Sequence, residues 1–272
     1  MSKATSSIKN ATRPFFAASK RKEGQLFIEE NVSFDWHSGM SWRVRQRSSD
    51  AMADAIISKY GHGPQGIQRE EILEVSTASH NYETGQALSA INLAYTSSDT
   101  GETHSVEGWF QAAKVFSCNG RKAGPYPELL CCKTPKRYLN QKLDKKTRDQ
   151  YANDELFQSI QADIEGATLY EFQFEGESFP LIPRSGFYDY LYIKALNQPQ
   201  NEQLAESLMR YRVFTDIMFT PGAGKTRKYN TQARSCAIYV ALKRRGIVSE
   251  SIRSFNSFVN AIGYENNSQQ LF

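Results

Sequence analysis

Hydrophobic and polar positions predict both helices and strands along this chain. Apolar residues spaced from Val44 to Ile56 predict a helix over residues 43–60, which ends at the turn-forming sequence YGHGP. A second helix is predicted to begin near Thr231 and to end at Gly246, after three consecutive basic residues. Alternating apolar and polar residues predict strands over residues 25–34, 72–76, 168–174 and 179–182, the last two joined as a hairpin by the turn EGES. Because most of the remaining sequence has a helical pattern, we expect an α+β fold that is mainly α, with a few short peripheral strands.

The two ends of the chain differ from its centre in composition. Residues 1–22 are rich in Ser, Ala, Thr and Lys, and they contain six basic residues and no acidic one. A segment of this kind buries too little apolar surface to fold, so we expect a basic, disordered tail. One domain should follow over residues 23–264, with a short C-terminal tail over residues 265–272.

Residues 103–116 predict an amphipathic helix that carries two parallel stripes. The apolar stripe consists of Val106, Trp109, Phe110 and Ala113, and the polar stripe beside it consists of Glu107, Gln111 and Lys114. Thr103 or Ser105 can cap this helix, which places Glu107 in the first turn, where the helix dipole favours an ionised carboxylate. Three polar side chains beside an apolar stripe are suited to line the wall of a binding pocket. The same periodicity is also that of an ordinary helix with a solvent-facing side.

The composition indicates a globular protein and excludes several other classes. With 272 residues, 40% of them hydrophobic, the chain can bury a full core. No stretch approaches the roughly 18 apolar residues of a membrane span, and the N-terminus lacks the apolar region of a signal peptide, so we expect a cytoplasmic protein with no membrane partner. The four cysteines and four histidines lack the spacing of metal ligands. We therefore expect reduced, mainly structural cysteines, no metal and no cofactor.

Basic residues are concentrated in two places although the net charge is only +4. One is the N-terminal segment, and the other spans residues 225–253, with eight basic residues and Glu250 as its single acid. Clusters of this kind on a balanced chain favour contacts with phosphates, from a nucleic-acid backbone or from a pyrophosphate. A solvated helix end and a floppy tail would produce the same pattern.

Several segments resemble the NADAR (YbiA-like) family of N-glycosidases. Residues 106–114, VEGWFQAAK, are similar to its E-x-x-F-Q-A-x-K motif. Residues 89–93 resemble an earlier family loop that contains an asparagine, here Asn92, and residues 214–216 together with Asn230 resemble its later Asp and Asn motifs. The resemblance implies a single NADAR-like helical domain.

A closer similarity is to the NADAR antitoxins that are paired with DarT-type toxins, which ADP-ribosylate guanine in DNA. The segments that carry it are residues 34–40, 73–77, 187–192 and 232–235. Together the matching segments extend over roughly residues 25–250. Gly108, where the motif usually has a bulkier residue, and the basic segment 225–228 depart from the family pattern.

The chemistry that the resemblance implies requires anionic groups near a ribose and a proton donor near a base. Breaking a ribosyl N-glycosidic bond builds positive charge on the sugar and negative charge on the departing base. The resemblance implies that Glu107 and Asp216 approach the ribose from two sides, one to stabilise the charged ring or activate water and the other to position a hydroxyl. Lys114 would donate a proton to the base, attack the anomeric carbon to form a Schiff base, or contact a phosphate.

The other candidate residues are expected to bind the substrate. Arg234 and the first amides of the helix that begins near Thr231 are suited to hold a pyrophosphate. Tyr188 and Trp109 are candidates for stacking on a base, although aromatic residues at such spacing more often belong to the core. The expected binding residues are Asn92, Trp109, Phe110, Gln111, Tyr188, Asp189, Asn230 and Arg234.

Three functions are compatible with the sequence. The first is a hydrolase that releases ADP-ribose from ADP-ribosylated guanine in single-stranded DNA and so reverses a DarT-type toxin, as an antitoxin or DNA-repair enzyme. The second is a YbiA-like N-glycosidase of small ribosylamino phosphates, such as riboflavin-pathway intermediates, which would not need the basic clusters. The third is a non-catalytic module that binds ADP-ribose or neutralises the toxin directly.

Overall fold

Three small sheets and two central helices form the framework of the protein. The computed structural model describes residues 8–21, 23–39, 41–63, 65–222 and 228–263. The strands are β1 (Ile8–Ala18), β2 (Phe27–His37), β3 (Ile72–Glu74), β4 (Ala94–Thr96), β5 (Thr103–Ser105), β6 (Lys114–Cys118), β7 (Arg121–Ala123), β8 (Thr168–Phe174), β9 (Glu177–Pro180) and β10 (Val213–Thr215). The α-helices are α1 (Trp42–Tyr60), α2 (Val106–Ala112), α3 (Pro135–Tyr138), α4 (Lys145–Gln150), α5 (Glu155–Ile164), α6 (Gly186–Leu196), α7 (Glu202–Ser207), α8 (Gln232–Arg245), α9 (Val248–Ser251) and α10 (Phe255–Ile262).

The fold is α+β, with more strand than the sequence indicates. Helices account for 44% and strands for 21% of the structure. The first sheet has the strand order β2-β1-β10-β3, in which β1 is antiparallel to both neighbours and β10 is parallel to β3. The second sheet is antiparallel with the order β7-β6-β8-β9, and β4 pairs with β5. Short strands such as β4 to β7 carry too few residues for a clear alternating pattern, so the expectation that the remaining sequence is helical was wrong there.

The N-terminal segment contains a central strand, which corrects the expectation of a disordered tail for residues 8–18. β1 pairs with β2 along its whole length and with β10 at its end. Its consecutive aromatic residues Phe15 and Phe16 are both 2% exposed, on opposite faces of the sheet. Averaging composition over residues 1–22 conceals these two buried side chains and the backbone pairing that positions them. Residues 1–7 and the predicted C-terminal tail lie outside the described ranges.

Several predicted elements are confirmed. The helix over residues 43–60 is α1, which begins one residue earlier. The predicted hairpin is β8-β9, but its second strand covers Glu177–Pro180 where residues 179–182 were predicted, because the turn has two residues and not four. Glu175 at φ 48° and Gly176 at φ 70° have the positive values that a tight hairpin of this kind requires. The C-terminal helix is α8, which ends at Gly246 with φ 73°, in the left-handed region that glycine tolerates. β2 begins two residues after the predicted start and continues to His37, three residues beyond the predicted end.

The two central helices, α6 and α8, pack side by side in the largest core cluster. All but one of the residues of α6 are buried, as are those of α8 from Ala233 to Leu242. α8 packs on one face of the first sheet, where Phe16 and Phe214 point towards it, and α1 packs on the other face against Phe15. The first sheet therefore separates α1 from the helices that carry most of the candidate site residues.

If β1 belongs to the core, Phe15→Ala should lower the free energy of unfolding by about 3–5 kcal/mol, because a large buried side chain is lost and a cavity remains. Ile8→Ala on the same strand should have little effect, since Ile8 is 58% exposed. Urea unfolding of the two variants and the wild type measures the difference. Equal stability of all three proteins would contradict the packing of β1.

Candidate active site

The polar stripe predicted on residues 107–114 is present as a chain of hydrogen bonds. The Gln111 Nε2 atom donates to Glu107 Oε1 at 3.0 Å, and the Lys114 Nζ atom donates to Gln111 Oε1 at 2.5 Å. Gln111 is buried, whereas Glu107 and Lys114 are partly buried. Because the amide of Gln111 is engaged at both ends, it holds the carboxylate and the ammonium group at opposite ends of one short array.

The helix under this chain is shorter than the predicted segment of residues 103–116. Ser105 is its N-cap and accepts a hydrogen bond from the Gly108 backbone N–H at 3.1 Å, which leaves Glu107 in the first turn. α2 ends at Ala112, and Lys114 is the first residue of β6, opposite Phe172 of β8. The β-branched and aromatic residues that follow Lys114 favour a strand, and pairing with β8 ends the helix.

Lys114 lies in an environment that disfavours its charge. Its Nζ atom is 5.1 Å from the centre of the Phe110 ring. Burial lowers the pKa of Lys114 to about 8, although the negative charge of Glu107 opposes this shift, and the positive charge of Lys136 contributes to it. A lysine of this kind exchanges its proton near neutral pH far more readily than an exposed one.

The loop before α2 joins this helix to α8. The Glu107 backbone N–H donates to the Ala90 carbonyl at 2.8 Å, and the Ala90 N–H donates to the Gln232 side chain at 3.0 Å. Asn92, the candidate of this loop, is exposed and donates through Nδ2 to the Gln86 carbonyl at 2.8 Å. The loop therefore fixes the start of α2 relative to the start of α8, with Asn92 at its surface.

Asp216 forms a second carboxylate centre, at the edge of the first sheet. It directly follows β10, and its Oδ2 atom accepts a hydrogen bond from Thr231 Oγ1 at 2.9 Å. Thr231 is the residue that follows the candidate Asn230 in the chain. The Met218 N–H donates to its Oδ1 atom at 3.2 Å. Burial, followed by the nearby charge of Glu74, raises the pKa of Asp216 to about 7.

Glu74 is a buried carboxyl that the sequence analysis did not select as a site residue. It is the last residue of β3 and lies opposite Thr215, the last residue of the parallel strand β10. Because the C-terminal ends of the two strands lie side by side, Glu74 is close to Asp216, which follows Thr215. It accepts hydrogen bonds from Thr215 Oγ1 at 2.6 Å, from Ser76 Oγ at 2.5 Å and from the Ile217 N–H at 2.9 Å. These bonds hold the backbone on both sides of Asp216. An acid between two buried apolar residues, Leu73 and Val75, was the available signal in the sequence.

Tyr188 lies among the carboxylates of the site. Its ring makes an edge contact with Phe110, with the ring centres 5.2 Å apart. The pKa of Tyr188 is raised well above its ordinary value, first by burial and then by the negative charges of Glu107, Asp216 and Asp189. Three acidic residues from α2, the edge of the first sheet and α6 therefore act on one hydroxyl group. Glu107 and Asp216, the two predicted catalytic acids, are far apart in the sequence, and both charges act on Tyr188.

Asp189 and Arg234 form a buried ion pair between α6 and α8. The Arg234 Nη2 atom donates to Asp189 Oδ2 at 2.5 Å, and the Ser235 hydroxyl donates to Asp189 Oδ1 at 2.6 Å. Asp189 is fully buried and Arg234 is 7% exposed. This pair fixes the helix that carries Tyr188. The expectation that Arg234 holds a pyrophosphate stays a prediction.

Trp109 lies in the largest core cluster. Its indole N–H donates to the Tyr95 carbonyl at 2.9 Å, and its ring packs against those of Tyr95, Phe174 and His104. This environment favours the core role over base stacking. Phe110 packs between Phe172, Phe187 and Tyr188.

Other features of the described residues lie away from this cluster. Two cavities of about 410 and 400 Å³ are lined by residues between 141 and 166 and by residues beside β1. The hydrogen-bonded cluster is the better candidate site because its groups have perturbed pKa values and converge, which neither cavity shows. Within the described ranges no three His, Cys, Asp or Glu side chains are grouped as metal ligands would be, and none of the helices is long and apolar enough to cross a membrane.

The sequence as a whole matches one family over nearly its full length. A family model of DarT1-associated NADAR antitoxins matches residues 11–271. The chain belongs to this family. The match confirms the resemblance that the motifs indicate, and it includes every candidate site residue and β1 from residue 11 onward. Family membership implies functional pairing with a DarT toxin. A comparison with characterised proteins gives no match.

The raised pKa of Asp216 predicts how stability depends on pH. An unfolded aspartate has a pKa of about 3.9, so between about pH 4 and pH 7 the folded protein binds more protons at this group than the unfolded chain does. The contribution of Asp216 to stability should therefore fall as the pH rises through this window. Asp216→Asn should remove that contribution and make the profile less steep, while Glu74, whose pKa burial also raises, still contributes in the same direction.

Urea unfolding at several pH values between 4.5 and 7.5 tests this expectation. Asp99→Asn, which changes an exposed carboxylate, is the control and should keep the wild-type profile. Identical slopes for Asp216→Asn and the wild type would show that Asp216 does not titrate in this range.

Proposed function

We propose that this protein hydrolyses the N-glycosidic bond between ADP-ribose and guanine in DNA and so reverses the modification made by a DarT-type toxin. The observation that carries the proposal is the hydrogen-bonded array of Glu107, Gln111 and Lys114 beside Phe110, next to Tyr188. The charges of Glu107 and Asp216 both raise the pKa of Tyr188. Two carboxyl groups and one proton donor are the groups that ribosyl transfer to water requires. Membership of the antitoxin family favours this substrate over a small metabolite.

Glu107 is suited to stabilise the ribose as its positive charge develops. It lies in the first turn of α2, where the helix dipole favours the carboxylate form, and Gln111 fixes its orientation. In the proposed reaction the bond between the anomeric carbon and the guanine nitrogen breaks, and its electron pair stays on the nitrogen. A water oxygen then bonds to the anomeric carbon, and the proton lost by that water passes to Glu107.

Lys114 is suited to donate the proton that the guanine nitrogen takes up. With a pKa of about 8, Lys114 is mainly protonated at pH 7 and still a stronger acid than an ordinary lysine. Schiff-base formation requires the neutral amine, which is the minor form at this pH. The environment of Lys114 therefore favours the proton-donor role.

Asp216 is suited to position a ribose hydroxyl. Its pKa of about 7 gives it both protonation states near neutral pH, so it can accept or donate a hydrogen bond to a hydroxyl group. Thr231 and the Met218 N–H hold the carboxyl group, and Glu74 holds the backbone on either side. Such support keeps a catalytic group in place before substrate binds.

Glu107→Gln should lower the turnover of an ADP-ribosylated single-stranded oligonucleotide at least about a hundredfold, because it removes a charge that matters most in the transition state. The substitution keeps an oxygen that can accept the hydrogen bond from Gln111, so the fold should be retained. Release of ADP-ribose measures the rate. Glu102→Gln, which changes an exposed acid shortly before α2, is the control and should retain wild-type turnover.

An unchanged rate in folded Glu107→Gln would exclude this residue from catalysis. A wild-type protein that binds the modified DNA but releases no ADP-ribose would support the non-catalytic alternative instead.

Removal of divalent metals should leave the reaction intact, since the proposed steps use only carboxyl groups, an ammonium group and water. The wild-type protein, treated with EDTA and then desalted, should retain its turnover of the same oligonucleotide. Complete loss of activity that one divalent cation restores would contradict this mechanism.

A further inference from the structure

A strongly basic surface lies on α3, α4 and the segment between them. Residues 133–150 contain seven basic residues and only two acids, Asp144 and Asp149. All seven basic side chains are exposed: Lys133, Lys136, Arg137, Lys142, Lys145, Lys146 and Arg148. We call them the α3–α4 surface. It is separate from the two basic clusters that the sequence analysis selects.

The charge of the α3–α4 surface is not neutralised by neighbouring carboxylates. Among the residues that the structure describes, none of the seven side chains forms an ion pair. Arg137 and Arg148 donate only to neutral oxygens, those of the Tyr151 hydroxyl and the Gln141 carbonyl. Asp144 caps α4 by accepting hydrogen bonds from Thr147, so one of the two acids is engaged locally.

The α3–α4 surface begins beside the candidate active site. Tyr138 and Leu139, at the end of α3, belong to one core cluster with Ala112 and Phe116, which flank Lys114 at two residues' distance on either side. Lys136 lies two residues before Tyr138 in the same helix, and its charge contributes to the lowered pKa of Lys114. From there the basic residues continue through Lys142 to α4.

The surface is concave at its far end. The cavity of about 410 Å³ is lined by Gln141 and Arg148 from the basic segment and by Gln158 and Gln161 of α5, with one acid, Glu165, at the end of that helix. The two α5 amides donate to the backbone carbonyls of Tyr151 and Tyr138, which holds this wall in place.

We propose that the α3–α4 surface binds the phosphodiester backbone of the single DNA strand whose modified base enters the candidate active site. The proposal rests on the proposed function for the identity of the strand. Exposed cations without carboxylate partners can each release counterions from a phosphate, which gives affinity without sequence preference. An acidic protein would match the charge equally well, but the continuity of the surface with the site of base cleavage favours the polymer that carries the base.

The test is the affinity of the triple variant Lys142→Gln, Lys145→Gln, Lys146→Gln for an unmodified, fluorescein-labelled single-stranded 16-mer. Fluorescence anisotropy between about 25 and 200 mM NaCl gives Kd and its dependence on salt. We expect Kd at low salt to rise at least about tenfold. The slope of log Kd against log salt concentration should fall by about 2, because each phosphate contact on a single strand contributes about 0.7.

The matched control removes three exposed cations from α1, on the other face of the first sheet: Arg43→Gln, Arg47→Gln, Lys59→Gln. This variant has the same net charge as the test variant and should bind the oligonucleotide within about twofold of the wild type. An unchanged affinity in the test variant, or an equal loss in both variants, would overturn the proposal. So would a test variant that binds DNA normally but loses affinity for the purified DarT toxin.

Hydrolysis of a small ADP-ribosyl guanosine separates this proposal from the proposed function. The test variant should cleave this compound at the wild-type rate, because the three lysines do not belong to the catalytic cluster. A wild-type protein that fails to cleave it would contradict the proposed function, and the anisotropy result would still decide whether the α3–α4 surface binds DNA.

Discussion

The carboxylate of Asp189 is buried between α6 and α8, and the arrangement of the site depends on how its charge is satisfied. An unpaired charge at this depth would cost several kcal/mol, and breaking a buried pair typically costs about 3–5 kcal/mol. Arg234 and Ser235, consecutive residues of α8, donate hydrogen bonds to its two oxygens. These bonds form together only when α6 and α8 are in the relative position that the structure shows. That position sets Tyr188 on α6 and Thr231 at the start of α8. The ion pair therefore positions the site even without contacting a substrate.

A second constraint is the parallel pairing of β3 with β10. Parallel strands bring their chain ends to the same edge of a sheet, and here each chain end carries an acid. Glu74 accepts hydrogen bonds from three groups, yet burial raises its pKa. Burial and the charge of Glu74 raise the pKa of Asp216 to about 7. Two like charges at one edge are unfavourable for stability, and this is the type of local cost that catalytic sites carry.

The proposed catalytic groups come from several elements that share one aromatic wall. Phe110 contacts Tyr188 and lies under the ammonium group of Lys114, so α2, β6 and α6 meet at a single side chain. The basic α3–α4 surface continues outward from the same place, since α3 packs against the residues that flank Lys114. Base cleavage and backbone binding would thus use adjacent parts of one continuous surface.

The sequence by itself determined the features that depend on near neighbours: α1, the β8-β9 hairpin, the glycine that ends α8, and the Glu107, Gln111 and Lys114 array. It also identified the family, because motif residues can be read without coordinates. Only the tertiary structure decided that residues 8–18 form a central strand, that α2 stops before Lys114, and that Glu74 lies next to Asp216. Each of these depends on pairing between segments more than 50 residues apart, such as β1 with β10 and β6 with β8. The secondary-structure propensity of a segment does not indicate which distant strand it pairs with. Pairing with such a strand and the burial that follows override the local propensity.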